Sequence, residues 1–166
     1  MNPNQFKPGQ GEEVEVNEAP VSQRSQTRRA LVQALYQWLI NQTDTQALIN
    51  QFVVDGRLEN CDIKMFREML TGVATSAEQL DQLYAPYLDR AASRIDPVER
   101  TILRLGAYEM QTQAQTPYQV VINEAVELAK RFGAEDSHKY INGVLDKVAE
   151  DMRQLEKKLY ADKKQP

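Results

Sequence analysis

Arg24, Arg28 and Arg29 stand in a stretch, residues 21 to 42, that contains no acid, and Tyr36 follows seven positions after Arg29. On a helix, seven positions fall about 20° from alignment, so Arg29 and Tyr36 share one edge, with Ser25 and Gln33 beside them. Guanidinium groups hold phosphates, and an exposed tyrosine ring offers a stacking face worth roughly 1 to 3 kcal/mol per base. The chemistry this pairing suits is the binding of single-stranded RNA. The same spacing also describes a solvated helix face with Tyr36 flanking the core, which is the commoner arrangement on spacing alone.

A second group lies in Phe132-Gly133-Ala134-Glu135-Asp136-Ser137-His138-Lys139-Tyr140. It places free backbone NH groups, Ser137, His138 and Lys139 at a helix start, where phosphate binds readily. Glu135 and Asp136 oppose that, and Asp136 as a cap would occupy the same donors. His138 is the only histidine and Cys61 the only cysteine, far apart in the chain, so no metal site is expected. A third group is acidic: Glu99 and Glu109 project near the apolar arc of one helix and Glu124 borders that of the next. Carboxylates so placed need partners, because an unpaired charge near a core is costly. For Glu99, helix-start capping and a docking patch for a basic protein are equally open. There is no G-x-S-x-G turn, and Gly9-Gln10-Gly11 lacks the strand and helix of a dinucleotide fingerprint. No enzyme activity and no cofactor are expected.

The elements that carry these residues are helical. Beyond residue 20 the apolar spacing is helical almost throughout, and no period-two run or Asn-Gly hairpin appears, so the class is all-α. The spacing predicts a helix from about Ser22 to Gln42, with Leu31, Val32, Leu35, Trp38 and Leu39 facing the core. A short helix is expected over Gln46 to Val54, and a longer one from Asp62 to about Tyr84, broken near Pro86. Asp96-Pro97-Val98-Glu99 places a cap, a proline at the first helical position and an acid at the third, predicting a helix to about Gln113. Thr116-Pro117-Tyr118-Gln119 has capping-box form and predicts the next, ending at Gly133 with a left-handed cap. Asp136 or Ser137 then caps a last helix whose Ile141, Val144, Leu145, Val148, Met152, Leu155 and Leu159 form one continuous apolar seam. The result is a compact helical bundle of about seven helices in two packed three- to four-helix groups.

With 166 residues, 42% hydrophobic and 27% charged, the chain has the composition of an ordinary soluble protein, and no run approaches the roughly 20 apolar residues of a membrane span. One domain over 21–160 is expected, with a disordered acidic leader at 1–20 and a flexible tail at 161–166. No signal peptide is evident, and with a single cysteine this points to the cytoplasm. The formal net charge of −4 argues against a polyanionic partner, but its distribution does not. Glu12, Glu13, Glu15 and Glu18 outweigh Lys7 in the leader, whereas Arg24, Arg28 and Arg29 are unopposed up to residue 42.

Read along the chain, these segments resemble the NusB family. The resembling pieces are Arg28-Arg29 with Ala34-Leu35-Tyr36-Gln37-Trp38, Phe66-Arg67 with Leu70-Thr71-Gly72-Val73-Ala74, Pro86-Tyr87-Leu88, Leu103-Arg104 and Tyr108-Glu109. The most specific runs from Pro117-Tyr118 through Ile122-Asn123-Glu124-Ala125 and Phe132 to Lys139, then Asn142-Gly143-Val144-Leu145-Asp146-Lys147. The resemblance covers roughly residues 24 to 149. It implies the two-group helical fold, no enzyme activity, and binding of the boxA element of nascent ribosomal transcripts as single-stranded RNA. It also implies joint action with NusE, a small-subunit ribosomal protein, and indirectly with other Nus factors and RNA polymerase, to suppress termination. By position it implies RNA contacts at Arg24, Arg28, Arg29, Tyr36, Phe132, Ser137, His138, Lys139 and Asn142. Partner contacts are implied at Glu99, Tyr118, Glu124, Asp136 and Tyr140. The family's basic run is often denser than Arg24-Ser25-Gln26-Thr27-Arg28-Arg29, which leaves more of the RNA affinity to the partner. The competing reading is a homodimeric helical interaction module whose RNA face is covered. A related helical domain also precedes the catalytic domain of some RNA methyltransferases, but no Gly-rich cofactor unit follows in this chain.

Overall fold

The computed structural model describes residues 21–164, so the leader and the last two residues lie outside the described part. Eight α-helices are found among the described residues, and no strand: α1 (Gln23–Asn41), α2 (Thr45–Val54), α3 (Ile63–Thr75), α4 (Ala77–Tyr84), α5 (Pro97–Thr112), α6 (Tyr118–Phe132), α7 (Ser137–Met152) and α8 (Gln154–Lys164). Short 3-10 turns at Ala85–Tyr87 and Ala92–Arg94 link α4 to α5. Helices α1 to α3 pack as one group and α4 to α7 as the other, joined where α1 and α3 lie against α5.

α5 is the axis. Asp96 caps it, accepting from the amides of Val98 and Glu99, with Pro97 at the first helical position as expected. Ten of its sixteen residues are buried, including Thr101, Arg104 and Glu109, because it is packed by α1, α3, α4, α6 and α7. Two glycines permit that closeness. A Cβ on Gly106 would lie 2.8 Å from Leu145 of α7, and one on Gly72 of α3 would lie 2.3 Å from the Tyr108 hydroxyl. On α1, Leu31, Val32 and Leu35 are buried as the spacing predicted, while Trp38 and Leu39 are only half-buried.

Five expectations are corrected. The helix expected from Asp62 to Tyr84 is two, because the chain turns at Ser76 and lets α4 bring Asp81 against α5. There Asp81 accepts from Arg100 and Arg104 at 2.8 Å and from the Tyr84 hydroxyl. The capping box at Thr116 does not form. Thr116 is buried, no side chain of its own turn caps α6, and Glu156 of α8 instead accepts from the Tyr118 amide at 2.8 Å. Gly133 is extended, with φ −89° and ψ 174°; glycine is required there because a Cβ would lie 2.7 Å from the Ala129 carbonyl oxygen, besides 2.4 Å from Ser137 Oγ. The left-handed residue is Asp136 at φ 66°, and its side chain caps nothing.

The seam expected to run on to Leu159 stops short. The chain breaks at Arg153, and Met152, Leu155 and Leu159 face outward. Arg153 causes the break by turning inward, where all five of its N–H donors are taken. They go to the carbonyls of Glu109, Met110, Gln113 and Thr116 and to the Glu156 carboxylate, at 2.7 to 3.1 Å. A cation at the open carbonyl end of α5 both satisfies those acceptors and meets the negative end of the helix dipole. Arg153→Met is expected to lower stability by about 3 kcal/mol, the cost of stranding several buried carbonyls, and thermal unfolding followed by circular dichroism measures it.

Candidate nucleic-acid interface

Ser22 starts α1 by accepting from the Ser25 amide at 3.1 Å, and Arg24 follows in the exposed first turn. Arg28 does not join it on the surface. It is 2% exposed and donates through Nε and Nη2 to the Glu109 carboxylate at 3.0 and 2.8 Å, and Glu109 is itself 2% exposed. Nη1 lies 3.7 Å from Glu124, which accepts from Ser25 Oγ at 2.6 Å. Burial opposes the charge on Arg28, but the bond to Glu109 and the fields of Glu109 and Glu124 outweigh it, so the guanidinium is held above its ordinary value. Glu109 and Glu124 are thus served from within the chain, and Arg28 is withdrawn from the basic stripe.

What remains on the outer edge of α1 is Arg29 with Tyr36, both half-buried, while Arg24 is exposed in the first turn, about 140° round the helix from Arg29. Burial first, and the Asp96 carboxylate second, push the Tyr36 phenol up, so it stays a neutral ring. The second strip divides in the same way. Phe132, 1% exposed, ends α6 inside the core, and Ser137 is buried with Oγ unpartnered among the described residues, while His138 is half-buried and Lys139 and Asn142 are exposed on the first turns of α7. Asp136 is exposed and stands 3.4 Å from Lys139. Three of the residues expected at RNA, Arg28, Phe132 and Ser137, therefore present almost no side-chain surface.

Apart from Asp136, beside Lys139 at the start of α7, the residues expected at a protein partner separate into three places. Glu124 belongs to the Arg28 cluster. Tyr118 is buried, edge-on to the Tyr160 ring at 6.3 Å with Lys157 Nζ 5.4 Å from its centre. Glu99 and Tyr140 share a third, through residues that the sequence reading missed. Tyr140 Oη donates to Asp89 at 3.1 Å, Arg90 lies over its ring at 5.6 Å, and burial followed by the fields of Asp96 and Asp89, against that of Arg90, pushes the Glu99 carboxyl up. Asp89 and Arg90 sit in irregular chain between α4 and α5, where periodicity carries no signal. Among the described residues no group of three or more His, Cys, Asp or Glu is placed to hold a metal, and no helix is long and apolar enough to cross a membrane.

Fold and site together define an all-helical bundle with an internal ion-paired hub and two polar strips that combine cations with aromatic or imidazole rings. Residues 25–150 match the model of the NusB family, and the chain belongs to that family. It is 59% identical over 157 residues to the transcription antitermination protein NusB of Hydrogenovibrio crunogenus, covering 95% of this chain and 98% of that one. With the protein of the same name from Pectobacterium carotovorum it shares 49% over 134 residues, covering 81% and 96%. Among solved structures, T. maritima NusB superposes with a TM-score of 0.68 at 31% identity, over 81% of this chain and 94% of that one. The NusB chain of a crystal structure of NusB and NusE with double-stranded RNA has the same fold, with a TM-score of 0.69 at 23% identity over 76% and 96%.

Two outcomes follow from the charges. Arg28→Ala leaves Glu109 buried and unpaired and is expected to cost about 3 to 5 kcal/mol. Adding Glu109→Ala is expected to recover part of that loss, which a double-mutant cycle of denaturant unfolding reads directly. For Glu99, a raised folded-state carboxyl means that ionisation works against the fold: its penalty is absent below the unfolded-state carboxylate range and grows as pH rises through the higher folded value. Glu99→Gln should therefore raise the melting temperature at neutral pH and lose that advantage in acid; a pH series of melts checks the sign.

Proposed function

We infer that this chain is a transcription antitermination factor that binds RNA as a non-catalytic adaptor. The RNA is single-stranded and of the boxA type, carried on nascent ribosomal transcripts in the cytoplasm. The observation that carries the reading is the outer edge of α1, where Arg29 and Tyr36 combine phosphate-binding charge with a neutral ring, while Arg24 adds an exposed charge in the first turn. His138, Lys139 and Asn142 at the start of α7 form the second strip. Membership in the NusB family supports it, as does the antitermination role named for relatives at 49 to 59% identity.

The protein partner is NusE, the small-subunit ribosomal protein, and through it the other Nus factors and RNA polymerase. It docks at Glu99 and Tyr140, where a half-buried carboxyl in an acidic setting favours a basic neighbour. With Arg28 internal, the exposed positive charge of α1 is small, and shared binding of the transcript makes up the affinity.

Titration of a boxA-type RNA and a scrambled control, with and without NusE, tests this. Arg29→Ala is expected to flatten the slope of log affinity against log salt by about 0.7, one phosphate on a single strand. Tyr36→Ala is expected to weaken binding by roughly tenfold through the lost stack. Equal binding of the scrambled RNA, or variants that match the parent, would remove this edge from the site. In sedimentation, a tight homodimer that persists with RNA present would contradict the adaptor reading.

A further inference from the structure

Between the outer edge of α1 and the turn that joins α2 to α3 lies a cavity of about 260 Å³ with mainly polar walls. Gln26, Arg29 and Gln33 line it from α1, and Arg57, Glu59 and Asn60 from the turn, which Gly56 opens with φ +72°. Its volume falls just below the roughly 300 to 1,000 Å³ of small-molecule sites, so it suits a single nucleotide unit better than a larger ligand. Two guanidiniums and three amides face one carboxylate there, a balance that favours an anion.

Arg57 is already in place. Its guanidinium carbon stands 4.1 Å above the centre of the Phe52 ring, and it donates to the Gln33 side chain. The stack fixes the plane of the group, so little side-chain freedom remains to be lost when an anion arrives. Five N–H donors allow it to keep an internal partner and serve a ligand as well. On α1, positions 26, 29, 33 and 36 recur at helical spacing, so the cavity opens on the same edge that carries Tyr36.

We propose that this cavity seats the phosphate of one nucleotide of the bound single strand, between Arg29 and Arg57, beside the nucleotide whose base stacks on Tyr36. The amides of Gln26, Gln33 and Asn60 complete the contacts. This rests on the RNA reading above and extends it from α1 to the α2–α3 turn, which no local motif marks.

Cys61, the single cysteine, is half-buried in the cavity wall and reports on its occupancy. Burial pushes its thiol up, against a smaller opposing effect of the Thr27 hydroxyl, so alkylation is followed at mildly alkaline pH. Saturating boxA-type RNA is expected to slow alkylation at least about fivefold. Arg57→Gln should weaken RNA binding roughly tenfold, the loss of a charge-assisted contact, and reduce the salt slope by about 0.7. Glu59→Gln, at an exposed position that does not endanger the fold, should strengthen binding. If the parent binds RNA while Cys61 reacts at an unchanged rate and both variants bind like the parent, the seat is wrong and the RNA reading stands. No RNA binding by the parent would overturn both. Protection of Cys61 by inorganic phosphate but not by RNA would make this a free-anion site and also overturn the proposal.

Discussion

The ion pair between Arg28 and Glu109 sets the orientation on which the rest of the molecule depends. Each side chain is 2% exposed, and a charge removed from water to that degree is tolerated only when its partner is held at hydrogen-bonding distance. Because Glu109 lies on α5, which is packed on nearly every side, Arg28 has a single productive direction, and α1 is fixed about its own axis as a result. Successive residues on a helix are 100° apart, so turning Arg28 inward leaves Arg29 at the rim and carries Gln26, Gln33 and Tyr36 with it. The polar edge proposed to meet RNA is thus a geometric consequence of a buried charge.

The ends of the helices are held by contacts between distant parts of the chain. Arg153 closes the carbonyl end of α5, and Glu156, its ion-pair partner, closes the amide end of α6. At the other group, Asp81 gathers Arg100, Arg104 and Tyr84, and burial, followed by the Asp81 carboxylate, drives the Tyr84 phenol far above its usual range. These three clusters share a form: a charged side chain, mostly buried, whose hydrogen-bonding capacity is met by several elements at once. Such groups add modestly to net stability, but they make alternative packings costly, because any shift strands a buried charge. The surface strips on α1 and α7 are therefore mounted on elements that cannot easily re-register.

The distribution of charge bears on how the proposed function works. Of the three arginines in the acid-free stretch, one is internal, so the electrostatic footprint on α1 is smaller than the sequence suggests. Arg57, contributed by the α2–α3 turn, lies beside the same edge and offsets part of that loss. A modest, spread footprint of this kind suits a protein that shares its transcript with a second protein, where orientation matters as much as affinity.

Much of this was legible in the sequence where the cause is local. Apolar spacing reports which face of a helix is buried, and Asp96-Pro97 or Ser22 reports a helix start, because the groups that interact lie within a few residues of one another. The run from Pro117 to Lys147 likewise marked the family without any structure. What only the tertiary structure decided involves residues far apart in the chain: that Arg28 points to Glu109 and Arg29 does not, that Glu156 rather than Thr116 caps α6, that Arg153 ends the seam before Leu155, and that Arg57 stands beside Arg29. A helical wheel places a side chain on an arc but is silent about what lies opposite. At the border of an apolar face, a long cation goes inward or outward according to whether another helix offers it a buried carboxylate.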